Sequence, residues 1–285
     1  MKSLLLILLT SLLSFFTINA QELENSLLWK ISGNGIEEPS YLFGTIHIVC
    51  DATLSDNVKM ALDKTSQMVL EIDMDDPSMQ SKMRKGIYMK DGKKIEDMVS
   101  KEDFEAINTL LKNAAGVPLN AVQNIKPSLI IAMLHPKLIG CPVQSFEQEL
   151  IKVAQNQNKE ILGLETIEEQ LHVFDEIPYE DQLADLLRSA KDNLEYEKTV
   201  AAEMFKHYKS GNIKKLEAML GNSNSNMSKH TDIFLTNRNK KWISRITELS
   251  KAQPTFFGVG ALHLAGKNGV IKLLRAEGYK VEAVK

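Results

Sequence analysis

The stretch FGVGALHL, residues 257–264, and its counterpart YLFGTIHI, residues 41–48, decide the fold of this chain. Each is an apolar, strand-like run that reaches a glycine and, three residues later, a histidine flanked by aliphatic side chains. Because the 285 residues include only 15 glycines and 6 histidines, two such pairs in the same context predict a duplicated half-site. Histidine is suited to metal binding or proton transfer near neutral pH. The alternative is that both are buried, hydrogen-bonded strand residues without a chemical role.

Predicted strands gather at the two ends of the chain. They cover residues 27–31, 40–48, 67–74, 255–262 and 280–284. The middle is mostly helical, apart from a short strand at 159–164. We therefore expect an α/β (α+β) fold with a single domain over residues 21–285. Its central mixed sheet is built from both chain ends and carries a large helical insertion at about 76–250. The two Gly-x-x-His runs would then be neighbours in space.

Capping and breaker residues predict the helices of the insertion. Asp76 followed by Pro77 predicts a helix that starts with proline at its first position. Residues from 178 through about 208 are expected to be strongly helical, and a long helix is expected around 230–250. Between them, the low-complexity segment 221–226, GNSNSN, predicts a flexible connector or a lid.

Residues 1–20 have the pattern of a secretory signal peptide, with Lys2 before an apolar run and Ala20 at its end. The run is too short to favour a transmembrane anchor. We therefore expect an exported chain, periplasmic or extracellular, without such an anchor after signal removal. The formal net charge of −3 and the lack of a basic stripe argue against nucleic acid as a partner.

Two cysteines, Cys50 and Cys141, lie in the expected exported chain. An oxidising compartment favours a disulfide between them. The alternative is a pair of free thiols, because the sequence does not show whether the two residues are close in space.

Three carboxylates are candidates for a site. Glu71 interrupts an apolar strand, so a buried Glu71 needs a cation, a metal or a hydrogen-bond donor; alternatively that strand face is solvated, because Asp73 shares it. Glu165 directly follows a strand and begins a helix. It is either a first-turn acid favoured by the helix dipole or a side chain that projects into a site. Glu147 starts another helix and alone is a weak signal.

A polar block, TNRNKKW at residues 236–242, lies in the long predicted helix. Arg238 and Asn239, together with Trp242, form a candidate face for recognising an anion; the alternative is a charged, solvated helix face. The sequence has no HExxH, Gly-x-Ser-x-Gly, P-loop or Cys-x-x-Cys-His motif. These absences argue against zincins, serine hydrolases, nucleotide-binding proteins and c-type haem proteins.

In combination, these segments resemble the TraB/PrgY/GumN family, which is related to the Tiki proteins. The resemblance covers nearly all of the chain after residue 20 and includes LLWKISGNG, SYLFGTIHI, MVLEIDM, GLETIEEQL, TNRNKKWISRI and FFGVGALHL. The family's two Gly-x-x-His motifs fall on Gly44/His47 and Gly260/His263. Its strand glutamate falls on Glu71, and the glutamate of its Gly-Leu-Glu-Thr motif falls on Glu165. Its Arg-Asn pair falls on Arg238 and Asn239. Glu147 occupies a position where many relatives carry Asp.

The resemblance implies a function. The Tiki branch resembles metal-dependent proteases, and the wider superfamily includes an esterase branch and a haem-binding branch. We therefore expect an exported metal-dependent hydrolase, peptidase-like, that acts on a peptide or small-molecule substrate. His47, His263 and Glu71 would hold a divalent cation, and mixed His/carboxylate ligation favours Zn, Mn or Co.

In this hypothesis three further residues also have roles. Glu165 would act as general base. Arg238 and Asn239 would orient a substrate carboxylate or stabilise a developing oxyanion. The alternative is a non-catalytic protein of the cell envelope that sequesters haem, a metal or a peptide.

Overall fold

The structure, a computed structural model, describes residues 23–285, so the predicted signal peptide lies outside the described residues. The strands are β1 (Leu28–Gly33), β2 (Ile36–Thr45), β3 (Gln67–Ile72), β4 (Glu160–Glu165), β5 (Thr255–Gly260) and β6 (Lys280–Ala283). The helices are α1 (Asp56–Asp63), α2 (Met79–Gly86), α3 (Lys101–Ala115), α4 (Pro127–Leu134), α5 (Phe146–Asn156), α6 (Ile167–Val173), α7 (Tyr179–Lys191), α8 (Glu195–Lys209), α9 (Ile213–Gly221), α10 (Asn237–Ala252) and α11 (Val270–Ala276).

The strands form one mixed sheet in the order β4-β3-β5-β2-β1-β6. Four of them, β4, β3, β5 and β2, run parallel to one another. β1 pairs antiparallel with β2, and β6 pairs antiparallel with β1. Strands from both chain ends are therefore interleaved, and the predicted α/β fold with a central mixed sheet is confirmed.

Helices cover both faces of the sheet, because its inner strands are apolar on both sides. On one face, Val69 of β3 packs in a cluster with Trp242 of α10 and with α11. On the other, Phe43 of β2 packs in a cluster with Leu150 of α5 and with α1. A third cluster, formed mainly by α3, α4 and α7, gives the helical part its own core. The site described below is built between the sheet and this helical part.

The two strands that carry the Gly-x-x-His motifs end earlier than the sequence suggests. β2 ends at Thr45 and β5 at Gly260. His47 therefore follows its strand, and His263 lies in a short 3-10 turn after β5. Both histidines are thus carried by turns at the strand ends, where their rings can face away from the ladder.

Two helix predictions differ from the structure in detail. Residues 178–208 are mostly helical, as predicted, but Asn193 and Leu194 adopt left-handed φ values of 55° and 67° after α7, and the chain continues as the separate helix α8. The helix expected from Pro77 begins only after Ser78. The Asp76 carboxylate accepts hydrogen bonds from Ser78 N and Oγ, both at 2.7 Å, and so forms a turn ahead of the helix.

The segment after β2 is attached to the segment before α5. Cys50 and Cys141 are joined by a disulfide, with Cα atoms 5.6 Å apart, which is the pairing that the sequence favours over two free thiols. Val49 forms an antiparallel bridge with Gln144. These links hold the turn that carries His47 beside the start of α5. Within residues 23–285, no helix combines the length and the apolar character needed to cross a membrane.

Candidate functional site

The candidate site lies at the edge of the sheet where the four parallel strands end. Glu71 is near the end of β3 and Glu165 is the last residue of β4, while the turns after β2 and β5 carry His47 and His263. Parallel strands place their carboxyl ends at one edge, where open α/β sheets bind ligands. The strand order therefore brings residues from both ends of the chain to one place.

Close packing at this edge requires the two motif glycines. A Cβ on Gly44 would lie 2.6 Å from Leu264 Cδ1 and 3.1 Å from Ala261 Cα, so a side chain would push β2 away from the turn after β5. A Cβ on Gly260 would lie 3.2 Å from Glu71 Oε1. The Gly260 N–H donates a 2.8 Å hydrogen bond to that same oxygen. Glycine at both positions allows this approach.

Arg238 joins the two carboxylates and one histidine. Its Nη2 donates to Glu71 Oε2 and to Glu165 Oε1, both at 2.6 Å, and its Nε donates to Glu165 Oε1 at 3.0 Å. Its Nη1 lies 3.2 Å from His263 Nε2. The three charged side chains are only 7–12 % exposed. Neither a solvated helix face for Arg238 nor a solvated strand face for Glu71 describes this arrangement.

Two neighbouring side chains complete the hydrogen bonding of the carboxylates. Trp242 Nε1 donates to Glu165 Oε2 at 3.1 Å, and its ring lies 4.8 Å from the Arg238 guanidinium. Gln170 Nε2 donates to Glu71 Oε2 at 3.0 Å and to Glu165 Oε1 at 3.2 Å. Both oxygens of Glu165 are therefore occupied by fixed donors, which gives this carboxylate the geometry of an anchor for Arg238.

Arg238 owes its position to an irregular turn. The long helix predicted around 230–250 is preceded by a π-helical turn at Asp232–Thr236, and α10 proper begins one residue before Arg238. Such turns occur frequently at functional sites. Here Arg238 Nη1 donates a 3.1 Å hydrogen bond back to Phe234 O within this turn, which fixes the direction of the guanidinium.

His263 is a buried, neutral imidazole. Asn239 Nδ2 donates to Asn268 O at 2.8 Å, which places Asn239 Oδ1 2.5 Å from His263 Nδ1 and assigns the ring proton to that nitrogen. Burial lowers the pKa of His263 to about 3, because the attraction of Glu71 for the proton does not offset desolvation and the nearby charge of Arg238. His263 Nε2 therefore presents a lone pair towards Arg238, with Glu71 Oε1 3.7 Å away.

Glu71 stays ionised in this buried place. Burial raises the pKa of its carboxyl, but interactions with His263, Arg238 and His47 and the Gly260 N–H outweigh burial and lower it to about 2. Because His263 is neutral near pH 7, the permanent charge of Arg238 is the main reason. One guanidinium thus faces two carboxylates, and the cluster carries one negative charge in excess.

His47 pairs with Glu147 at the start of α5. Its Nδ1 lies 2.9 Å from Glu147 Oε1, and Ser145 Oγ donates to Glu147 Oε2 at 2.5 Å. This contact raises the pKa of His47 to about 9 against the opposing effect of burial. Burial raises the pKa of Glu147, but His47 and Ser145 lower it to about 2. The His47 side chain is 71 % exposed although protein surrounds it, because it stands in an open cavity.

That cavity has a volume of about 560 Å³, and His47, Glu71, Arg238 and His263 all line it. Gly260 also contributes to its wall, whereas Glu147, Glu165 and Asn239 do not; Glu147 contacts His47, Glu165 contacts Arg238, and Asn239 contacts His263. Much of the remaining wall is apolar and is supplied mainly by helices and by the segment before α10. It includes Ile131, Leu138, Val200, Met204, Phe205 and Leu235.

Three residues of the site have no counterpart in the sequence-based prediction. Gln170 had a local signal, because it lies within the same GLETIEEQ segment as Glu165. Tyr208 OH donates a 2.8 Å hydrogen bond to Gly44 O, and burial and the charge of Glu147 raise its pKa. His135 lines the cavity, and burial lowers its pKa. Tyr208 and His135 reach the site only through the fold of the helical part, so no spacing in the sequence marks them.

The comparison with protein families agrees with this geometry. The sequence model of the TraB/PrgY/gumN family matches residues 27–283. The chain belongs to this family. The family predicted from the two Gly-x-x-His motifs and their companion segments is therefore confirmed.

Curated relatives of this TraB/PrgY/gumN protein are named metalloproteases. "Metalloprotease TIKI1" of Danio rerio is 24 % identical over 319 aligned positions, which cover 90 % of this chain and 63 % of the relative. The human protein of the same name is also 24 % identical and is covered to 62 %. "Metalloprotease TIKI homolog" of Nematostella vectensis is 21 % identical over 92 % of this chain and 67 % of its own length. The chain thus spans somewhat under two thirds of the first two relatives. No solved structure gives a significant match.

The relatives' names raise the question of whether these residues fit a metal. Among residues 23–285, no group of three or more His, Cys, Asp or Glu side chains is already gathered to hold one. The donor chemistry is nevertheless suitable. Each motif histidine has an oxygen acceptor at Nδ1, Glu147 for His47 and Asn239 for His263, an arrangement that presents Nε2 to a metal.

Distances also allow shared ligation. His263 Nε2 and Glu71 Oε1 lie 3.7 Å apart, close to the separation of two ligands that each lie roughly 2.1 Å from one ion. The excess negative charge of the cluster attracts a cation. The residues therefore fit a divalent cation, provided that the exposed His47 side chain approaches and Arg238 Nη1 releases His263 Nε2.

Proposed function

We propose that this chain is an exported metal-dependent hydrolase of the peptidase type. The observation that carries the proposal is the convergence of both motif histidines on a cavity at the sheet edge, beside the ionised carboxylate of Glu71. The metalloprotease names of its relatives support it, and so does the disulfide between Cys50 and Cys141, which suits an oxidising compartment.

In this proposal His47, His263 and Glu71 hold the cation. Zn, Mn or Co accepts such mixed ligation, and a bound ion would polarise the scissile carbonyl group of the substrate. Glu147 and Asn239 orient the two rings through Nδ1. His47 must lose its proton to become a ligand, so binding of the cation releases protons into solution.

Arg238 is the proposed charge stabiliser. It lines the cavity, and its Nη1 is the guanidinium nitrogen that bonds neither carboxylate. That nitrogen can therefore donate to a substrate carbonyl or carboxylate oxygen. Glu165 was expected as general base. Because Arg238, Trp242 and Gln170 occupy both of its oxygens, we now propose that Glu165 positions Arg238.

A second candidate function is non-catalytic binding of haem, a metal or a peptide. The observation that favours it is the spacious apolar wall of the cavity beside the histidines. A binder and an enzyme differ in turnover, so bound ligand without any bond cleavage would favour this second function.

The proposal is tested by elemental analysis of the chain from residue 21 onward, purified without chelator and then reconstituted with each cation. His47→Ala and His263→Ala are compared with His172→Ala, whose side chain is 57 % exposed on α6 and pairs only with acids of its own segment. We expect about one equivalent of metal in the wild type and in His172→Ala, and loss of it in both motif variants. Wild-type metal content in His263→Ala would contradict the assignment.

A further inference from the structure

One face of α8 runs along the cavity for its whole length. Seven residues at helical spacing line it: Tyr196, Glu197, Val200, Ala201, Met204, Phe205 and Tyr208. Residues three and four apart lie on the same side of a helix, so this is one continuous stripe. Its central part is apolar, and Val200, Met204 and Phe205 are only partly buried. The helix therefore keeps an apolar surface towards the cavity instead of packing it fully into a core.

The two ends of the stripe mark the two ends of the cavity. At the C-terminal end, Tyr208 OH donates to Gly44 O at 2.8 Å, three residues before His47. At the N-terminal end, Tyr196 OH lies 2.9 Å from Ser223 Oγ and accepts a 2.9 Å hydrogen bond from Asn224 N. Tyr208 lies twelve positions after Tyr196 in the helix, which corresponds to about 18 Å at ~1.5 Å per residue.

The end remote from the histidines is polar. Arg188 donates to Asp185 at 2.6 Å and to Glu197 at 3.0 Å, and its guanidinium lies 4.3 Å from the Tyr196 ring. Asp185 also accepts from Ser225 Oγ at 2.6 Å, which anchors the low-complexity segment over this end. Arg188, Asp185, Glu197 and Ser225 all contribute to the cavity lining. The cavity is therefore polar at both ends and apolar between them.

We propose that the cavity takes an extended peptide of about five residues whose central side chains are large and apolar. An extended chain advances roughly 3.3 Å per residue, so about five residues span the distance between the two ends. The bond presented to His47 and His263 lies at one end, the apolar side chains lie against Val200 and Met204, and the distal backbone reaches the polar groups around Tyr196. This substrate class rests on the proposed hydrolase function.

The polar distal end also separates a peptide from a fatty acyl chain. An acyl chain places its methyl terminus against the end remote from the reacting group, where burying Arg188 and Glu197 against hydrocarbon is unfavourable. A peptide instead brings amide groups that can bond with Tyr196 and Ser223. The same residues therefore favour a peptide over a lipid as the occupant.

The test uses the metal-reconstituted chain and a set of fluorescein-labelled peptides. The set contains Ser-Leu-Phe-Leu-Ser, its all-serine counterpart, and versions with three and eight residues. Binding is measured by fluorescence anisotropy and cleavage by mass spectrometry. Two variants on α8 are compared: Val200→Trp, which fills the apolar stripe, and Ala202→Trp, which places the same side chain on the exposed side of the helix.

We expect the apolar pentapeptide to bind at least tenfold more tightly than the serine and three-residue peptides, with no further gain at eight residues. Val200→Trp should weaken binding at least tenfold and Ala202→Trp less than twofold. The peptide series on the wild-type chain tests the preference for apolar side chains and for length even if Val200→Trp fails to fold. This pattern without cleavage supports the inference and contradicts the hydrolase. Cleavage without apolar or length preference overturns the inference and leaves the hydrolase standing, and tighter binding of dodecanoate than of the pentapeptide also overturns it.

Discussion

Replacing Arg238 by alanine should destabilise the fold strongly, because two buried carboxylates would lose their shared cation. Glu71 and Glu165 both lie 2.6 Å from Arg238 Nη2, and both accept from Gln170. Removing one partner of a buried ion pair costs about 3–5 kcal/mol. In the variant, two like charges would face each other with only Gln170, Trp242 and the Gly260 N–H as donors.

The pKa of Glu71 gives an independent magnitude. It lies at about 2 instead of the ordinary 4.5, and a tenfold change in proton affinity is worth about 1.4 kcal/mol. Because His263, which contributes to this shift, is neutral at pH 7, the surroundings of the ionised carboxylate stabilise the fold by at most about 3 kcal/mol at that pH. Because the folded-state pKa is depressed, this stabilisation is present above about pH 4.5 and is lost as the pH falls towards 2. In Arg238→Ala the carboxyl pKa rises, so the deficit relative to wild type should shrink from pH 7 to pH 5.

The assay is urea unfolding, monitored by circular dichroism, of the wild type, Arg238→Ala and the double variant Arg238→Ala/Glu165→Gln. The double variant retains only one buried charge and should recover about 1–2 kcal/mol of the loss. The control is Arg245→Ala on the same helix, whose side chain is 40 % exposed and lies 3.5 Å from Glu248; it should cost less than about 0.5 kcal/mol. A loss in Arg238→Ala as small as that of the control, without relief in the double variant, would refute the reasoning.

Three further predictions follow from single features of the fold. Gly44→Ala should cost about 1–3 kcal/mol by overpacking, measured by urea unfolding, and a neutral effect would contradict the close approach at that edge. Replacing Cys50 and Cys141 by serine should lower the free energy of unfolding by about 2–5 kcal/mol; equal unfolding midpoints before and after reduction of the wild type would argue against the bond. Asp185→Asn should speed amide hydrogen exchange in residues 223–230 at least tenfold. The reason is that the Asp185 carboxylate accepts four hydrogen bonds from residues of that segment. Unchanged protection there would show that other contacts hold the segment.

The positions of the strands could be predicted because local signals determine them. Apolar runs ending in Gly-x-x-His mark β2 and β5, and the apolar run that Glu71 interrupts marks β3. The break between α7 and α8 could not be predicted, because it depends on left-handed conformations at Asn193 and Leu194, which a leucine rarely adopts. Helical propensity continues through this point, so tertiary packing overrides the local pattern.

The site likewise has residues that local motifs predict and features that depend on the fold. The motifs single out His47, Glu71, Arg238 and His263, and the structure brings these four residues to one cavity; their chemical roles stay predictions. The motifs do not show which carboxylate faces that cavity, because the orientation of Glu165 depends on Arg238, a residue distant in sequence. The sequence also does not indicate that the apolar stripe of α8 lines a cavity. At helical spacing such a stripe normally packs into a core, and only the cavity reveals that it faces open space.

The most direct test of the central claim is cleavage of a mixed peptide library by the chain after its metals are removed and then restored one equivalent at a time. The wild type should lose cleavage on chelation and regain it with Zn, Mn or Co, whereas His263→Ala should regain none. His172→Ala should behave as the wild type. Cleavage that persists without metal, or that returns equally in His263→Ala, would contradict a metal-dependent hydrolase at the paired motifs.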